Sequence, residues 1–174
     1  MVNFDPQSTY MATIAAFTPG ATPQDVFTIS GNATTNVYVL KMGISTTQTA
    51  AGSNAWFIAK RSTANTGGTH AAPVAVPFNS NGPAASATLL KYTANPTAGT
   101  LVGNYWSAWV NSPTIIDDAD GSQATVEVDF LTIMSQPIAL LSAAETLAWN
   151  FAGAALPGGL SVLAWVLWAE ASKT

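Results

Sequence analysis

Short runs of alternating apolar and polar residues, separated by glycine, proline and asparagine, most constrain how this chain can fold. In the clearest run Val126, Val128 and Phe130 alternate with polar residues. A period of two places successive side chains on opposite faces of a strand, so that one face is buried and the other is solvated. Because such runs recur with turn signals between them, the sequence predicts an all-β domain.

Three further runs have the same period, and each predicts a strand with one buried face. Those faces are Tyr38, Leu40, Met42 and Ile44; Trp56 and Ile58; and Leu147, Trp149 and Phe151. Helix signals are poor, and only Met11–Phe17 and Ser142–Thr146 are predicted to form a turn or two. The expected fold is one jelly-roll-like β-sandwich of about eight to ten strands.

The run from Leu160 to Ala169 is apolar on both of its predicted faces. In a domain standing alone, the second face would be an exposed apolar patch. We therefore expect a contact between subunits there, or a long loop that covers the strand. The two faces are Val162, Val166 and Trp168, and Leu163, Trp165 and Leu167.

The chain is unusually poor in charge. Charged residues make up 8% of its 174 residues and apolar residues 48%, whereas an ordinary domain has about 25% charged residues. A surface covered by neighbouring subunits would explain this, and so would one rich in Thr, Ser and Asn. The net charge is −4, and Lys60-Arg61 is the only basic pair, so no nucleic-acid partner is expected.

No membrane partner is expected either, because the longest apolar stretch has about ten residues and is too short to cross a bilayer. Residues 1–6 also lack the basic and apolar regions of a signal peptide, so no secretion signal is predicted.

Residues 1–24 are predicted to be an extended arm that precedes a single domain over residues 25–174. They contain Pro6, Pro19 and Pro23 among scattered apolar side chains. Such an arm would lie across a neighbouring subunit, and the alternative is a first edge strand of the same domain.

Residues that carry chemistry are few, and no enzymatic activity, cofactor or metal site is predicted. The single histidine, His70, lies in a Gly/Thr loop and is expected to be solvated. Asp117–Asp120 resembles half of a calcium loop, and we interpret it as an acidic turn, with weak calcium binding as the alternative. Glu127 and Asp129 share the solvent side of a strand, where a general acid and base pair is the less expected interpretation.

The chain has six tryptophans, which we assign to the core and to subunit contacts, with an exposed sugar-binding platform as the alternative. Two pairs, Trp106 with Trp109 and Trp165 with Trp168, are predicted to point to opposite faces of their strands. The residues predicted to contact a partner are Phe4, Tyr10, Met11, Ile14, Phe17, Trp106, Trp109, Trp165 and Trp168.

Loop and strand patterns over residues 58–69, 72–77, 92–97 and 136–170 resemble small, mostly uncharacterised structural proteins of tailed bacteriophages and prophages. The resemblance covers residues 25–170. It implies a virion protein made in the host cytoplasm, above all a capsid decoration (cement) protein on the capsid exterior. Its expected partners are the major capsid protein and further copies of itself in a homotrimer. The alternative is a tail or fibre module that recognises a host surface glycan.

Overall fold

The computed structural model describes residues 8–19, 22–47, 52–112, 124–152 and 160–173. Within these ranges twelve strands and one short helix form two antiparallel sheets, which confirms the predicted all-β fold. The elements are β1 Thr9–Phe17, β2 Gln24–Ser30, β3 Thr35–Thr47, β4 Gly52–Arg61, β5 His70–Ala71, β6 Val76–Pro77, β7 Thr88–Tyr92, β8 Leu101–Ser112, β9 Ala124–Asp129, α1 Phe130–Met134, β10 Ile138–Leu140, β11 Thr146–Phe151 and β12 Ser161–Ser172.

Strands from distant parts of the chain pair with one another in both sheets. Sheet A has the order β10-β3-β12-β1-β6, with β9 also paired to β3, and sheet B has the order β5-β7-β2-β11-β4-β8. The two sheets pack face to face as a sandwich, with the apolar core between them. Two-residue strands such as β5 and β6 account for part of the excess over the predicted strand number.

The core contains the faces that the alternating runs predict for β4, β9 and β11. Trp56, Ile58, Val128 and Trp149 are each 0% exposed. Large aromatic side chains fill the space between the sheets, and their burial supplies much of the apolar area removed from water.

The predicted face of β3 is wrong at Tyr38 and Leu40, because a β-bulge at Leu40 reverses the alternation. Opposite β12, Val39 and Lys41 take successive positions, so Leu40 is an extra residue in the strand. An extra residue switches every following side chain to the other face. The core side of β3 is therefore Val37, Val39, Met42 and Ile44, each 0% exposed.

The prediction of a helical turn is wrong for Met11–Phe17, which lies in β1, where pairing with β12 outweighs local preference. Ser142–Thr146 contains a turn and the first residue of β11. The helix is α1, for which Asp129 is the N-cap, accepting hydrogen bonds from the backbone N–H groups of Leu131 (3.0 Å) and Thr132 (3.2 Å).

Part of the segment predicted as an arm lies inside sheet A. Thr9–Phe17 pairs with β12 on one side and with β6 on the other. It is thus a strand of the sandwich, as the alternative interpretation expects, although it does not lie at the sheet edge. Phe4 lies outside the described residues.

Two buried tyrosines make the fold sensitive to alkaline pH. Burial raises the pKa of Tyr10 above 10.0, with a further increase from Glu170. Burial also raises the pKa of Tyr92, with a further increase from Asp25. A raised pKa in the folded state gives stability that is complete below the unfolded pKa and is lost as pH rises through the folded value.

We therefore expect the urea midpoint to fall as pH rises above about 10, with tyrosinate absorbance appearing together with unfolding. Urea titrations at a series of pH values, followed by far-UV circular dichroism, measure this. The Tyr10→Phe/Tyr92→Phe variant should lose much of the dependence, and an unchanged dependence in that variant would contradict the assignment.

Candidate interaction surface

The outer face of sheet B is covered by the chain itself. Thr28, Ala59 and Ala148 lie side by side on this face, and each is at most 2% exposed. Residues that follow β4 fold back over them, since Asn65 reaches Asp25 on β2, two strands away. The central strands of this face therefore offer little apolar surface to a partner, whereas its edge strand β8 is exposed.

A buried ion pair holds this cover in place. The Asp25 carboxylate is 0% exposed and accepts from Arg61 Nε at 2.5 Å and Arg61 Nη2 at 2.6 Å. Asn65 Nδ2 and Asn150 Nδ2 also donate to it, each at 2.7 Å. With four donors around it, this carboxylate is fully bonded and has a structural role.

The same residues attach a second loop. Arg61 Nη1 donates to the carbonyl oxygen of Gly99 at 3.1 Å, and the Gly99 N–H donates to Asn65 Oδ1 at 2.8 Å. A side chain at position 99 would collide with the backbone of Thr63, since an ideal Cβ there lies 1.9 Å from its carbonyl oxygen. Glycine therefore allows the two loops to lie against each other.

A second buried carboxylate also has a structural role. Glu170 is 9% exposed and accepts from the N–H of Ala87 at 2.9 Å and from Trp168 Nε1 at 2.9 Å. The backbone N–H and hydroxyl of Ser86 complete its set of donors. These bonds hold the segment before β7 against β12.

The outer face of sheet A is polar along β9. Lys41 Nζ lies 2.9 Å from Asp129 and 3.2 Å from Glu127. The hydrogen bond with Lys41 lowers the pKa of Asp129, and the bonds with Asp129 and Glu127 raise the pKa of Lys41. Both carboxylates therefore belong to an exposed ion-pair group. An acid and base pair for catalysis would instead need one carboxyl with a raised pKa.

The same face is apolar along β12, β1 and β6. Leu163, Trp165 and Leu167 occupy three successive outward positions on β12, Met11 lies beside Leu167, and Val76 lies beside Met11. Leu163 is 48% and Val76 is 59% exposed, and the other three are partly exposed. We call these five residues the sheet A patch.

Trp165 lies flat because its neighbour on β3 is a glycine. An ideal Cβ at Gly43 would lie 2.1 Å from the indole ring of Trp165. Any other residue would push the ring away from the sheet. Glycine in a strand interior often marks such a close approach, and this is the signal in the sequence that points to the arrangement.

Trp106 and Trp109 point to opposite faces of β8, as predicted. Trp106 packs edge-on against Trp149, with ring centroids 5.5 Å apart and an interplanar angle of 85°. Trp109 is 71% exposed on the edge strand of sheet B. Trp109 is thus a large aromatic side chain without a covering partner in the described part of the chain.

The structure assigns four of the predicted contact residues to the core. Tyr10, Ile14, Phe17 and Trp168 are between 0% and 8% exposed, so their side chains have almost no surface left for a partner. The face of Trp168 could not be assigned from the sequence, because β12 is apolar on both sides, and the other three residues belong to the segment that was predicted as an arm and forms β1. Met11, Trp109 and Trp165 reach the outside, and Trp106 is partly exposed.

The residues that could carry chemistry remain scattered. His70 is exposed beside the ring of Tyr92, at 5.6 Å between centroids, and no group of three or more His, Asp or Glu suited to a metal occurs in the described ranges. Asp117–Asp120 lies outside those ranges. The groove of about 630 Å³ between residues 72–77 and 82–89 is lined mainly by proline and alanine and has no titratable side chain.

Within the residues described, no helix is long and apolar enough to cross a membrane. Comparison with known proteins adds no assignment. No family model, curated protein or solved structure matches this chain.

Proposed function

We propose that this chain is a structural protein of a bacteriophage particle, a decoration (cement) protein. It binds the outer capsid surface as a homotrimer and bridges major capsid proteins. The observation that carries the proposal is that two apolar surfaces stay exposed on the sandwich, the sheet A patch and Trp109 at the edge of sheet B. A large exposed apolar patch is typical of a surface that binds protein.

We also propose that the sandwich is a jelly roll, and the strand pairing supports this. The pairs β1–β12, β2–β11, β3–β10 and β4–β8 are nested along the chain, all antiparallel. Jelly rolls are frequent in capsid and lectin domains. The fold alone leaves the function open, since one fold hosts many functions.

The assignment to a bacteriophage particle rests on the resemblance over residues 58–69, 72–77, 92–97 and 136–170. Arg61 and Asn65 belong to the first of these segments, and both hold the covering loops through Asp25. A shared framework of this kind gives the resemblance a physical basis, because the same residues would be needed wherever the same loops cover sheet B.

The proposed mechanism is mechanical support of the capsid shell. On a capsid lattice each copy needs only modest affinity, because several copies in one trimer bind together and their effective concentrations are high. Trp109 is the best candidate for contact with the capsid, since it is large, exposed and on an uncharged strand.

The exposure of Trp109 also favours the second candidate, recognition of a host glycan. Exposed aromatic rings stack on sugars, and Ser107 on the same face could donate a hydrogen bond. In that case the chain would lie on the tail or fibres, with Trp109 facing solvent.

The test is to add the purified chain to expanded bacteriophage shells that lack it and to image them by cryo-electron microscopy. We expect density on the outer lattice, with Trp109→Ala reducing occupancy and the nearby exposed variant Tyr105→Ala as its control. Bare shells in the presence of folded chain would overturn the proposal. Density on tails or fibres of the whole particle would instead favour glycan recognition.

A further inference from the structure

We infer that the sheet A patch is the surface through which copies of this chain bind one another. The inference deepens the proposed function and rests on it for the assembly on a capsid, but it changes the number of copies in the contact, because two equal faces that pack on each other form a two-fold pair. It assigns the contact to Met11, Val76, Leu163, Trp165 and Leu167, and the occupant of the patch to a second copy of the same chain.

The first argument is the difference between the central strands of the two outer faces. On sheet B the outward residues Thr28 and Ala148 are at most 1% exposed, because loops of the same chain cover them. On sheet A the outward residue Leu163 is 48% exposed, although it lies on a strand paired on both sides. Partial exposure in the middle of a sheet indicates a face that the described residues leave uncovered.

The second argument is size. Sheet A is five strands wide, and β3 and β12 are paired over twelve positions. Strand spacings of about 4.8 Å and rises of about 3.4 Å per residue give the sheet an upper limit on the order of 700 Å², since β6 and β10 have only two and three residues. A standard protein interface buries about 800 Å² on each partner. The patch would therefore be the apolar centre of a contact that also includes the polar margin of the sheet.

The third argument is charge. Lys41 is already paired with Glu127 and Asp129 at the margin of the face, and the patch itself is uncharged. A strongly acidic partner would be repelled there, because Lys41 is the one cation between two carboxylates, and the apolar centre offers a strongly basic partner no opposite charge. A second copy presents the same neutral apolar centre and the same paired margin, so the two faces suit each other.

The fourth argument is shape. The indole of Trp165 lies flat on Gly43, which levels the centre of the face. Two β-sheets pack about 10 Å apart with their side chains in contact, and a level apolar centre suits such packing. The patch therefore has the form that one sheet presents to another.

The test is sedimentation velocity on the purified chain without capsids. We expect twice the 17.9 kDa mass of one chain, because two equal faces that pack on each other close as a dimer. Leu163→Glu should shift the protein to the monomer and raise the dissociation constant about a hundredfold, because it puts like charges into the contact. Trp109→Glu, an exposed aromatic on the other sheet, is the matched control and should leave the mass unchanged.

A second variant and a measurement of folding distinguish weaker association from misfolding. Gly43→Ala adds one methyl group, lifts the Trp165 ring and should also weaken association, while circular dichroism reports that both variants keep the strand signal. A parent chain that is monomeric at every concentration overturns the inference, and so does a folded Leu163→Glu variant with the parental mass. A monomeric chain that still binds capsids would overturn this inference alone. An oligomer that does not bind capsids would overturn only the proposed function.

Discussion

Replacing Arg61 with alanine is expected to lower the free energy of unfolding by about 3–5 kcal/mol, because it leaves a buried carboxylate without its positive partner. Asp25 is 0% exposed and receives two of its four hydrogen bonds from Arg61. The same change removes a donor to Gly99, so the loops over sheet B should loosen as well. Urea titration followed by tryptophan fluorescence and circular dichroism measures the loss.

Two further variants identify its cause. Asp25→Asn combined with Arg61→Ala should recover part of the stability, because it removes the unpaired charge. Lys41→Ala breaks an exposed ion pair and should cost much less, since exposed pairs contribute little. Equal losses for Lys41→Ala and Arg61→Ala would contradict the role given to burial.

Trp168→Ala is expected to destabilise the fold by about 3–5 kcal/mol through the cavity it creates. Trp168 is 0% exposed, stacks on Tyr10 with ring centroids 5.5 Å apart, and donates to Glu170 at 2.9 Å. Trp109→Ala removes the same side chain from a 71% exposed position and should change stability by no more than about 0.5 kcal/mol. Thermal and urea unfolding of the two variants, measured side by side, give the comparison.

The contrast between these two tryptophans also separates folding from binding. If Trp109→Ala were as destabilising as Trp168→Ala, Trp109 would be a packing residue and would no longer be a candidate for contact with the capsid. If Trp168→Ala were neutral, the core assignment of β12 would be wrong.

The all-β class and the buried faces of β4, β9 and β11 could be predicted because alternation is a local signal. The reversal within β3 could not, since the bulge at Leu40 is defined only by the register against β12. The inward face of β12 was ambiguous for a different reason, because both of its faces are apolar and only the opposite sheet decides between Trp165 and Trp168.

The candidate site was predictable only in part. The apolar strand predicts that one of its two faces is a subunit contact or lies under a loop, but the sequence does not decide between the row of Leu163, Trp165 and Leu167 and the row that contains Trp168. Asp25 and Arg61 are 36 positions apart, and nothing local in the sequence relates them. Gly43 could have been noticed, since a glycine inside a strand often marks a close approach of another group.

The pairing of β1 with β12 has a consequence for how the molecule forms. Thr9 lies opposite Ala169, so the centre of sheet A is made of strands from the two ends of the sequence. Such long-range pairing pays a large loop-closure entropy before it gains contacts, and it slows folding. The pairing of β1 and β3 with β12 in sheet A can therefore form only after β12 has been synthesised. A chain cut short before β12 also lacks Leu163, Trp165 and Leu167, so under the proposed self-association an unfinished copy could not join an assembly.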